Sequence, residues 1–324
     1  MLVPKSNYAP LLLATFMAIA AGCSSPASSQ DGSRELAGVT AWSPEMLSIK
    51  STPGTILLEI DKSLHLWSNL YLAAKDETDV RRARAIEKDL LIRTVQHQPL
   101  LIEQLESGSP NNRQVAALAL GFSRDPVLSR EKKRRPELTD PLPTLLAALE
   151  DPNALVTANA AMGLGLLARK ETPTGGLIEI LQRSEEPRAR GNAAWALKET
   201  QSAGADLTPV LPVIRSKLGD LDPGVRAHCA LILAESLDEA SIGDLSLMLY
   251  DPEDHVAVTA SRALAYIGSR VETARGSAAR ALTASLSRVS SKVRKRVLSV
   301  LQILAGRNYA DDDEAWIEWA HNIP

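Results

Sequence analysis

The residues that could carry out acid–base, nucleophilic or metal chemistry are few and widely spaced in this chain. Its five histidines are His65, His97, His228, His255 and His321, and none of them is followed by Glu. No two histidines stand three or four residues apart, so no pair would meet on one face of a helix to bind a metal. The chain also has no G-x-S-x-G, no phosphate-binding glycine loop and no Cys-x-x-Cys. We therefore expect no catalytic site, no metal and no cofactor.

The overall charge argues against a nucleic-acid partner. The formal net charge is −3 at pH 7, so no general basic field would attract a phosphate backbone. Hydrophobic residues make up 45% of the chain and aromatic residues only 4%, which favours a core of Leu and Ala between closely packed helices. We expect a protein or peptide partner and no nucleic acid.

The N-terminus has the pattern of an export signal. Lys5 precedes an eleven-residue apolar run at 11–21, which is shorter than the roughly 20 residues that span a bilayer. The run ends in Ala20-Ala21-Gly22-Cys23, which resembles the lipobox of bacterial lipoproteins. The resemblance implies a signal peptide over 1–23, lipidation of Cys23 and attachment to the membrane by a lipid anchor. An ordinary cleaved signal with an incidental cysteine is the alternative.

The residues after Cys23 bear on the location of the protein. Residues 24–52 begin with Ser-Ser-Pro-Ala-Ser-Ser and predict a flexible tether. Ser24 stands where inner-membrane lipoproteins often have Asp, so the same resemblance implies the outer membrane, facing the periplasm, in a Gram-negative cell. We expect an exported protein that is anchored to the cell envelope.

A leucine pattern divides the middle of the chain into six similar segments. Its reference residues are Leu105, Leu149, Leu181, Leu218, Leu249 and Leu286. The fourth residue before each is Leu101, Leu145, Leu177, Ile214, Leu245 and Leu282. Fifteen residues later, or sixteen in the third segment, stands the closing leucine of the segment, at Leu120, Leu164, Leu197, Leu233, Leu264 and Leu301. The spacing predicts six repeats, each made of a first helix, A, a tight turn and a second helix, B.

The turns and B helices carry a recognisable motif. An acid-Pro pair marks four of the turns, and it suits a helix start because the carboxylate caps free N–H groups and Pro fits the first turn. The pairs are Asp151-Pro152, Glu186-Pro187, Asp222-Pro223 and Asp251-Pro252. The stretch Leu218-Gly-Asp220-Leu-Asp-Pro223-Gly-Val225-Arg226 resembles HEAT repeats of the short bacterial kind also found in phycobilin lyases. The resemblance implies an all-α fold, an α–α superhelix or HEAT-like solenoid of about six helical hairpins with terminal caps. Lyase activity is not implied, because we expect the chain to be exported.

The predicted organisation follows from this pattern. The repeats occupy 99–305, with an insertion at 122–141 that lengthens the step between the first two. Residues 53–98 are predicted to form a helical N-terminal cap. Residues 306–324 are predicted to form a C-terminal cap in which Trp316 and Trp319 cover the open end of the last repeat.

One side of the B helices is the candidate binding surface. At 100° per residue, the positions two and five residues before each closing leucine point away from the apolar positions. HEAT-like solenoids line their concave surface with B helices, so we expect these positions to form the floor of a groove. The candidate groove residues are Asn159, Met162, Asn192, Trp195, His228, Leu231, Thr259, Arg262 and Arg296. A merely solvated face is the alternative, and an exposed Trp195 is the best argument for the groove.

A second column combines arginine with aspartate. Arg113, Arg190, Arg226 and Arg294 share one position of the B helices, and Asp151, Asp220 and Asp251 share one position of the turns. We predict an inter-repeat Asp–Arg ladder, with a basic binding strip as the alternative.

Three functions are compatible with these patterns. The first is a protein-binding scaffold in the cell envelope, which we favour. The second is a structural or self-associating lipoprotein with no dedicated ligand. The third is an enzyme or, short of that, a non-catalytic subunit of an envelope enzyme complex. We expect that the chain is not itself an enzyme.

Overall fold

The computed structural model describes residues 52–73, 76–124 and 127–323, and every regular element in these ranges is a helix. The chain divides into two compact parts, Met1–Arg93 and Thr94–Pro324. The predicted signal peptide at 1–23, with Cys23, and residues 24–51 of the predicted tether lie outside the described residues. None of the helices in the described ranges is long and apolar enough to cross a membrane.

The N-terminal part is built from two long helices. Helix α1 spans Pro53–Ala73, and helix α2 spans Glu77–Gln96, running past the boundary at Arg93. Apolar residues recur every three or four positions and are buried, as an amphipathic helix requires: Leu57, Ile60, Leu64 and Trp67 in α1, with Ala83 and Leu90 in α2. On the surface, Arg93 donates to Glu59 at 3.0 Å and to Asp89 at 2.7 Å, which joins the two helices.

The C-terminal part consists of six helical hairpins, an inserted helix and a closing helix. The hairpins are α3 (Gln98–Ser107) with α4 (Pro110–Leu120), α6 (Leu142–Ala147) with α7 (Ala154–Leu167), α8 (Gly175–Arg183) with α9 (Pro187–Ser202), α10 (Leu211–Ser216) with α11 (Pro223–Glu235), α12 (Ile242–Leu247) with α13 (Asp254–Arg270), and α14 (Glu272–Ser285) with α15 (Ser291–Ala305). The inserted helix is α5 (Val127–Lys132) and the closing helix is α16 (Asp313–His321). Each B helix packs against the B helix of the next repeat. The predicted stack of six two-helix repeats is therefore confirmed.

The leucine pattern is the core of this stack. All of its residues are buried, and none is more than 7% exposed. The small residues predicted beside them, such as Ala116, Ala160 and Ala230, are fully buried, which lets neighbouring B helices approach closely. In this part of the chain the sequence pattern and the packing agree residue by residue.

The acid-Pro pairs start helices in only two of the four turns. Glu186 and Asp222 cap α9 and α11 with their side chains, and Pro follows each as the first helical residue. Asp151-Pro152 and Asp251-Pro252 were expected to do the same, but α7 and α13 begin at positions 154 and 254. Asp151 and Asp251 stand two residues before the cap, where their carboxylates face an arginine of the preceding B helix.

The insertion between the first two repeats is tied to the start of the C-terminal part. Leu128 and Leu138 are buried. The guanidinium of Arg135 donates to the carbonyl oxygens of Val95 and Gln96, both at 3.1 Å. These carbonyls lie at the end of α2 and have no partner within the helix, so Arg135 satisfies them.

The closing helix covers the last repeat. Trp316 is fully buried and its indole N–H donates to the carbonyl oxygen of Ala310 at 3.0 Å. Its ring meets Tyr309 and Trp319 edge to face, at centroid distances of 4.8 and 5.8 Å. Helix α16 packs against α14. Trp316 is therefore the anchor of this end, and Trp319 is only partly buried.

Candidate functional site

The predicted Asp–Arg ladder is present and structural. Each rung has at least two hydrogen bonds of 2.7–3.1 Å from one guanidinium to one carboxylate: Arg113–Asp151, Arg190–Asp220, Arg226–Asp251 and Arg294–Asp313. The Nη1 of each arginine also donates to a carbonyl oxygen of its own turn, for example Arg226 to Asp220 at 2.8 Å. In Arg294 the same Nη1 also donates to the carboxylate of its rung. In the last rung, Arg294 pairs with Asp313 of α16. No aspartate had been predicted as the partner of Arg294. Because both charges of each rung are engaged, the ladder is not a free basic strip.

The titration of the ladder groups reflects this pairing. Burial acts to raise the pKa of Asp220, but hydrogen bonds from Arg190 and from the N–H of Asp222 outweigh it and hold that pKa below its usual value. Hydrogen bonds with Asp220 and Asp251 raise the pKa of Arg190 and Arg226 respectively. These interactions keep Asp220, Arg190 and Arg226 ionised at neutral pH.

The ladder is interrupted at two junctions. Between the second and third repeats, Thr157 stands where the ladder has Arg, and Ser184 stands where it has Asp. A cavity of about 610 Å³ lies there, lined by Thr157, Ser184 and apolar residues of α6 and α8. Between the fifth and sixth repeats the corresponding residues are Ala257 and Arg288.

The predicted groove residues five positions before the closing leucine mostly face a neighbouring helix. Asn159 donates to the carbonyl oxygen of Gln114 at 2.9 Å, and Asn192 donates to that of Ala158 at 2.8 Å. Each amide thus ties its B helix to the preceding one. Asn159, His228 and Thr259 are buried, so the expectation that they line an open groove is wrong. Asn192 is partly exposed, although its amide is engaged.

Burial also decides the chemistry of His228 and its neighbour. Burial, with smaller effects from Lys198 and His255, lowers the pKa of His228 to about 3. Burial raises the pKa of the Cys229 thiol. The imidazole is therefore neutral and the thiol protonated at neutral pH. Among the described residues, no group of three or more His, Cys, Asp or Glu could hold a metal ion.

The expected exposed tryptophan is also buried. Trp195 is 7% exposed and Met162 is 4% exposed, so the prediction that they form the groove floor is wrong. The reason is a close approach of α7 and α9 at Gly165: a Cβ on this glycine would lie 2.6 Å from Cε3 of Trp195 and 3.0 Å from Cα of Ala196. The indole occupies the space that a side chain on α7 would otherwise fill.

The remaining predicted residues lie on a surface that opens in the last three repeats. Leu231 and Arg262 are partly exposed and Arg296 is exposed. Two residues after the closing leucine, Phe122 and Leu166 are buried in the first two repeats. The same position in the last three repeats is exposed and carries Glu235, Tyr266 and Ile303.

We call this surface the open face and define it by Leu231, Glu235, Arg262, Tyr266, Arg296 and Ile303. Tyr266 is 39% exposed and Ile303 is 74% exposed. The guanidinium of Arg270 lies 3.6 Å from the centroid of the Tyr266 ring and extends the open face along α13. Tyr266 and Ile303 were not among the predicted groove residues, because only positions before the closing leucine were considered. The available signal was the large side chains that recur two positions after that leucine, at Phe122, Leu166, Tyr266 and Ile303.

The comparison with protein-family models agrees with this architecture. A family model of HEAT repeats matches residues 142–211 and 174–265. Among solved structures, the chain is similar to two engineered proteins. The first is 20% identical, and the match covers 64% of this chain and 96% of that one with a TM-score of 0.47. The second is 19% identical, and the match covers 83% of this chain and 74% of that one with a TM-score of 0.48. It is also similar to a chain in the complex of CpcE and CpcF of phycocyanin lyase from Nostoc sp. PCC7120, at 18% identity, covering 86% of this chain and 100% of that one, with a TM-score of 0.36. No curated protein matches.

The helical hairpins and the matched repeats define the fold class. Thr94–Pro324 contains an all-α solenoid of HEAT-like repeats, and the family match falls on its second to fifth repeats.

Proposed function

We propose that this chain is a HEAT-like scaffold that binds a protein partner through the open face and is held at the cell envelope by a lipid on Cys23. The observation that carries the proposal is the open face itself. It places Tyr266, Leu231 and Ile303 beside the arginines at 262, 270 and 296. Aromatic side chains and arginine are the residue types enriched at protein interfaces and at their energetic centres.

The fold does not need these side chains where they are. In the first repeats the equivalent positions are filled with buried Phe122 and Leu166, which contribute to packing. Ile303 instead exposes most of its side chain to water, which forgoes about 1.5 kcal/mol or more of burial. A partner that covers Tyr266 and Ile303 would recover this free energy.

Crosslinking in cells provides a direct test. A photo-crosslinking amino acid replaces Tyr266 in one full-length chain and Tyr250 in a matched control, because Tyr250 is similarly exposed at 42% but lies on the A-helix side. We expect a specific adduct from position 266 and none of the same mass from position 250. Equal adducts from both positions would contradict the proposal.

The protein identified in the adduct is then purified and titrated. We expect Tyr266→Ala to weaken its binding about thirtyfold, which corresponds to about 2 kcal/mol for an interface anchor. Tyr250→Ala should bind as the unchanged protein does. If Tyr266→Ala binds with unchanged affinity, the open face is not the binding surface.

The anchor is tested separately. We expect the unchanged chain to incorporate labelled palmitate and to sediment with membranes, and Cys23→Ser to do neither. A Cys23→Ser chain that is still labelled, or an unchanged chain that is never labelled, excludes lipidation at this position while leaving the open face untouched.

We also propose that the chain binds without catalysing a reaction. Support comes from the state of its most buried reactive groups, since His228 stays neutral and Cys229 stays protonated at neutral pH. Turnover of the identified partner by the purified chain would contradict this proposal.

A further inference from the structure

A cleft between the fourth and fifth repeats is bordered by the most exposed leucine of the described chain. It has a volume of about 850 Å³ and is lined by residues of α10, α12 and the two A–B turns. Leu221 is 93% exposed and Leu247 is 70% exposed, and both line the cleft. Met248 lies at its buried side. The cleft belongs to the A helices and turns, so it is distinct from the open face on the B helices.

The exposed leucines are not a requirement of the repeat. The position of Leu221 holds Pro152, Glu185 or Pro252 in the other central repeats, and the position of Leu247 holds Ala147, Glu179 or Ser216. Only this junction combines two leucines. An exposed leucine gives up the stabilisation that burial would provide, so a pair facing one cleft points to a surface that is covered by something.

The two junctions that precede it are closed or carry a charged side chain. Between the third and fourth repeats, the Nζ of Lys217 crosses the junction and donates to the carbonyl oxygen of Gln182 at 3.2 Å. Between the second and third, the smaller cavity has Glu179 in place of the second leucine. The apolar rim is therefore particular to the fourth and fifth repeats.

The charges around the cleft indicate what kind of group would cover it. Asp220 and Asp251 are neutralised by Arg190 and Arg226 of the ladder. Asp244 also lines the cleft, and no side chain in the described ranges forms an ion pair with it. Arg215 also lines the cleft, but it is paired with a buried aspartate outside the lining. Asp244 is therefore the one charged side chain of the lining that has no ion pair in the described ranges, and a basic group would be attracted to it.

We propose that this cleft binds a segment of a protein partner in which a large apolar side chain is flanked by Lys or Arg. The apolar side chain fills the space between Leu221 and Leu247. The adjacent basic side chain pairs with Asp244. The apolar contact supplies most of the affinity, and the charge selects the sequence.

Two synthetic peptides of nine residues provide the probe. Both have Leu-Trp-Leu at the centre, flanked by Lys and Arg in the first and by Glu and Asp in the second. Fluorescence anisotropy measures their binding to the full-length chain. We expect the basic peptide to bind at least tenfold more tightly than the acidic one, and the preference to decrease as salt increases.

Four variants locate the binding. Leu221→Ser and Leu247→Ser should each weaken the basic peptide at least tenfold, and Asp244→Asn should reduce the preference for basic over acidic peptide. Leu155→Ser is the matched control, because Leu155 is also an exposed leucine, at 39%, in the second repeat. It should bind normally. We expect all four variants to fold, because the substituted side chains are exposed. Circular dichroism verifies this.

The possible results separate this proposal from its competitors and from the open face. Binding that Tyr266→Ala abolishes and Leu221→Ser leaves unchanged would place the peptide on the open face and overturn the proposal. So would no binding at millimolar peptide, or equal binding of both peptides. Sedimentation that shows a dimer dissolved by Leu221→Ser would identify a second copy of the chain as the occupant, which also overturns it.

Discussion

The contact between Gly165 and Trp195 makes a sharp prediction about packing. Replacing glycine by alanine inside a helix normally stabilises it by about 1 kcal/mol. At Gly165, however, the new Cβ would stand 2.6 Å from the indole of Trp195 and 3.0 Å from the backbone of Ala196. Carbon atoms in contact prefer about 3.5–4.0 Å. Since α7 and α9 would have to separate, we assign an overpacking cost of about 3 kcal/mol, at the upper end of such effects.

The net expectation for Gly165→Ala is a loss of about 2 kcal/mol in the free energy of unfolding. Gly243→Ala is the matched control, because Gly243 lies in α12 and a Cβ there would meet nothing within 4 Å. That variant should gain about 0.5–1 kcal/mol. The two identical substitutions should therefore differ in sign.

Urea denaturation followed by circular dichroism measures both effects. Because repeat arrays can unfold in steps, hydrogen exchange of α7 and α9 should be followed in parallel. Faster exchange in these two helices is expected for Gly165→Ala. In a Trp195→Leu background, which removes the indole, Gly165→Ala should cost less, because only the 3.0 Å approach to the backbone of Ala196 remains. If Gly165→Ala is as stable as Gly243→Ala, the indole of Trp195 does not pack against α7, and Trp195 is again a candidate for the groove floor.

Three further predictions concern buried charge, protonation and thiol reactivity. Arg190→Ala should lower the free energy of unfolding by about 3 kcal/mol, because Asp220 is left buried without its partner, whereas Arg294→Ala, in a more exposed rung, should cost about 1 kcal/mol. Equal urea midpoints for the two variants would contradict this ranking. The free energy of unfolding of the unchanged chain should decrease as pH falls from about 6.5 towards 3, by up to about 1.4 kcal/mol per pH unit. The reason is that His228 takes up a proton in the unfolded chain, whereas the buried imidazole, with its pKa of about 3, does not. His228→Asn should lose this part of the pH dependence, and a parallel curve would refute the assignment. Cys229 should resist alkylation by iodoacetamide in the native protein and react once the chain is unfolded, as measured by mass spectrometry, since it is fully buried and its pKa is raised; rapid native labelling would contradict it.

The repeat architecture could be predicted from sequence because it depends on local spacing. The leucine pattern fixes which side of each helix is apolar, and those residues are all buried in the structure. The ladder was predictable for the same reason, since an Arg column and an Asp column recur at constant spacing. The missing rung at Thr157 and Ser184 is also visible in the sequence, as a simultaneous change of both partners.

The binding surface could not be predicted with the same accuracy, because exposure depends on the distance between helices. An angular projection places Trp195 and Asn159 opposite the core but treats each helix as isolated. In the stack, a B helix is flanked by two others, and the residues that face them are buried. The glycines at 163 and 165 were the sequence signal for a close approach, since an added Cβ would collide with the neighbouring helix at both.

Leu221 is the opposite case, because it lies on an exposed surface that the sequence did not predict. The sequence places it in a turn between two aspartates, where a leucine reads as one more residue of a repeat motif. Only the structure shows that it is almost completely exposed and borders the same cleft as Leu247. The two are 26 positions apart in sequence, so no local pattern connects them.

The contrast between the first and last repeats along the B helices has an evolutionary consequence. In the early repeats a side chain such as Trp195 fits one particular neighbour, so a change there demands a compensating change across the junction. In the late repeats Ile303 meets mainly water, and Tyr266 is partly exposed and stacks on Arg270 of its own helix, so each can be exchanged with little change across the junction. Specificity for a partner can therefore drift or be redesigned in the second half of the array while the first half preserves the fold.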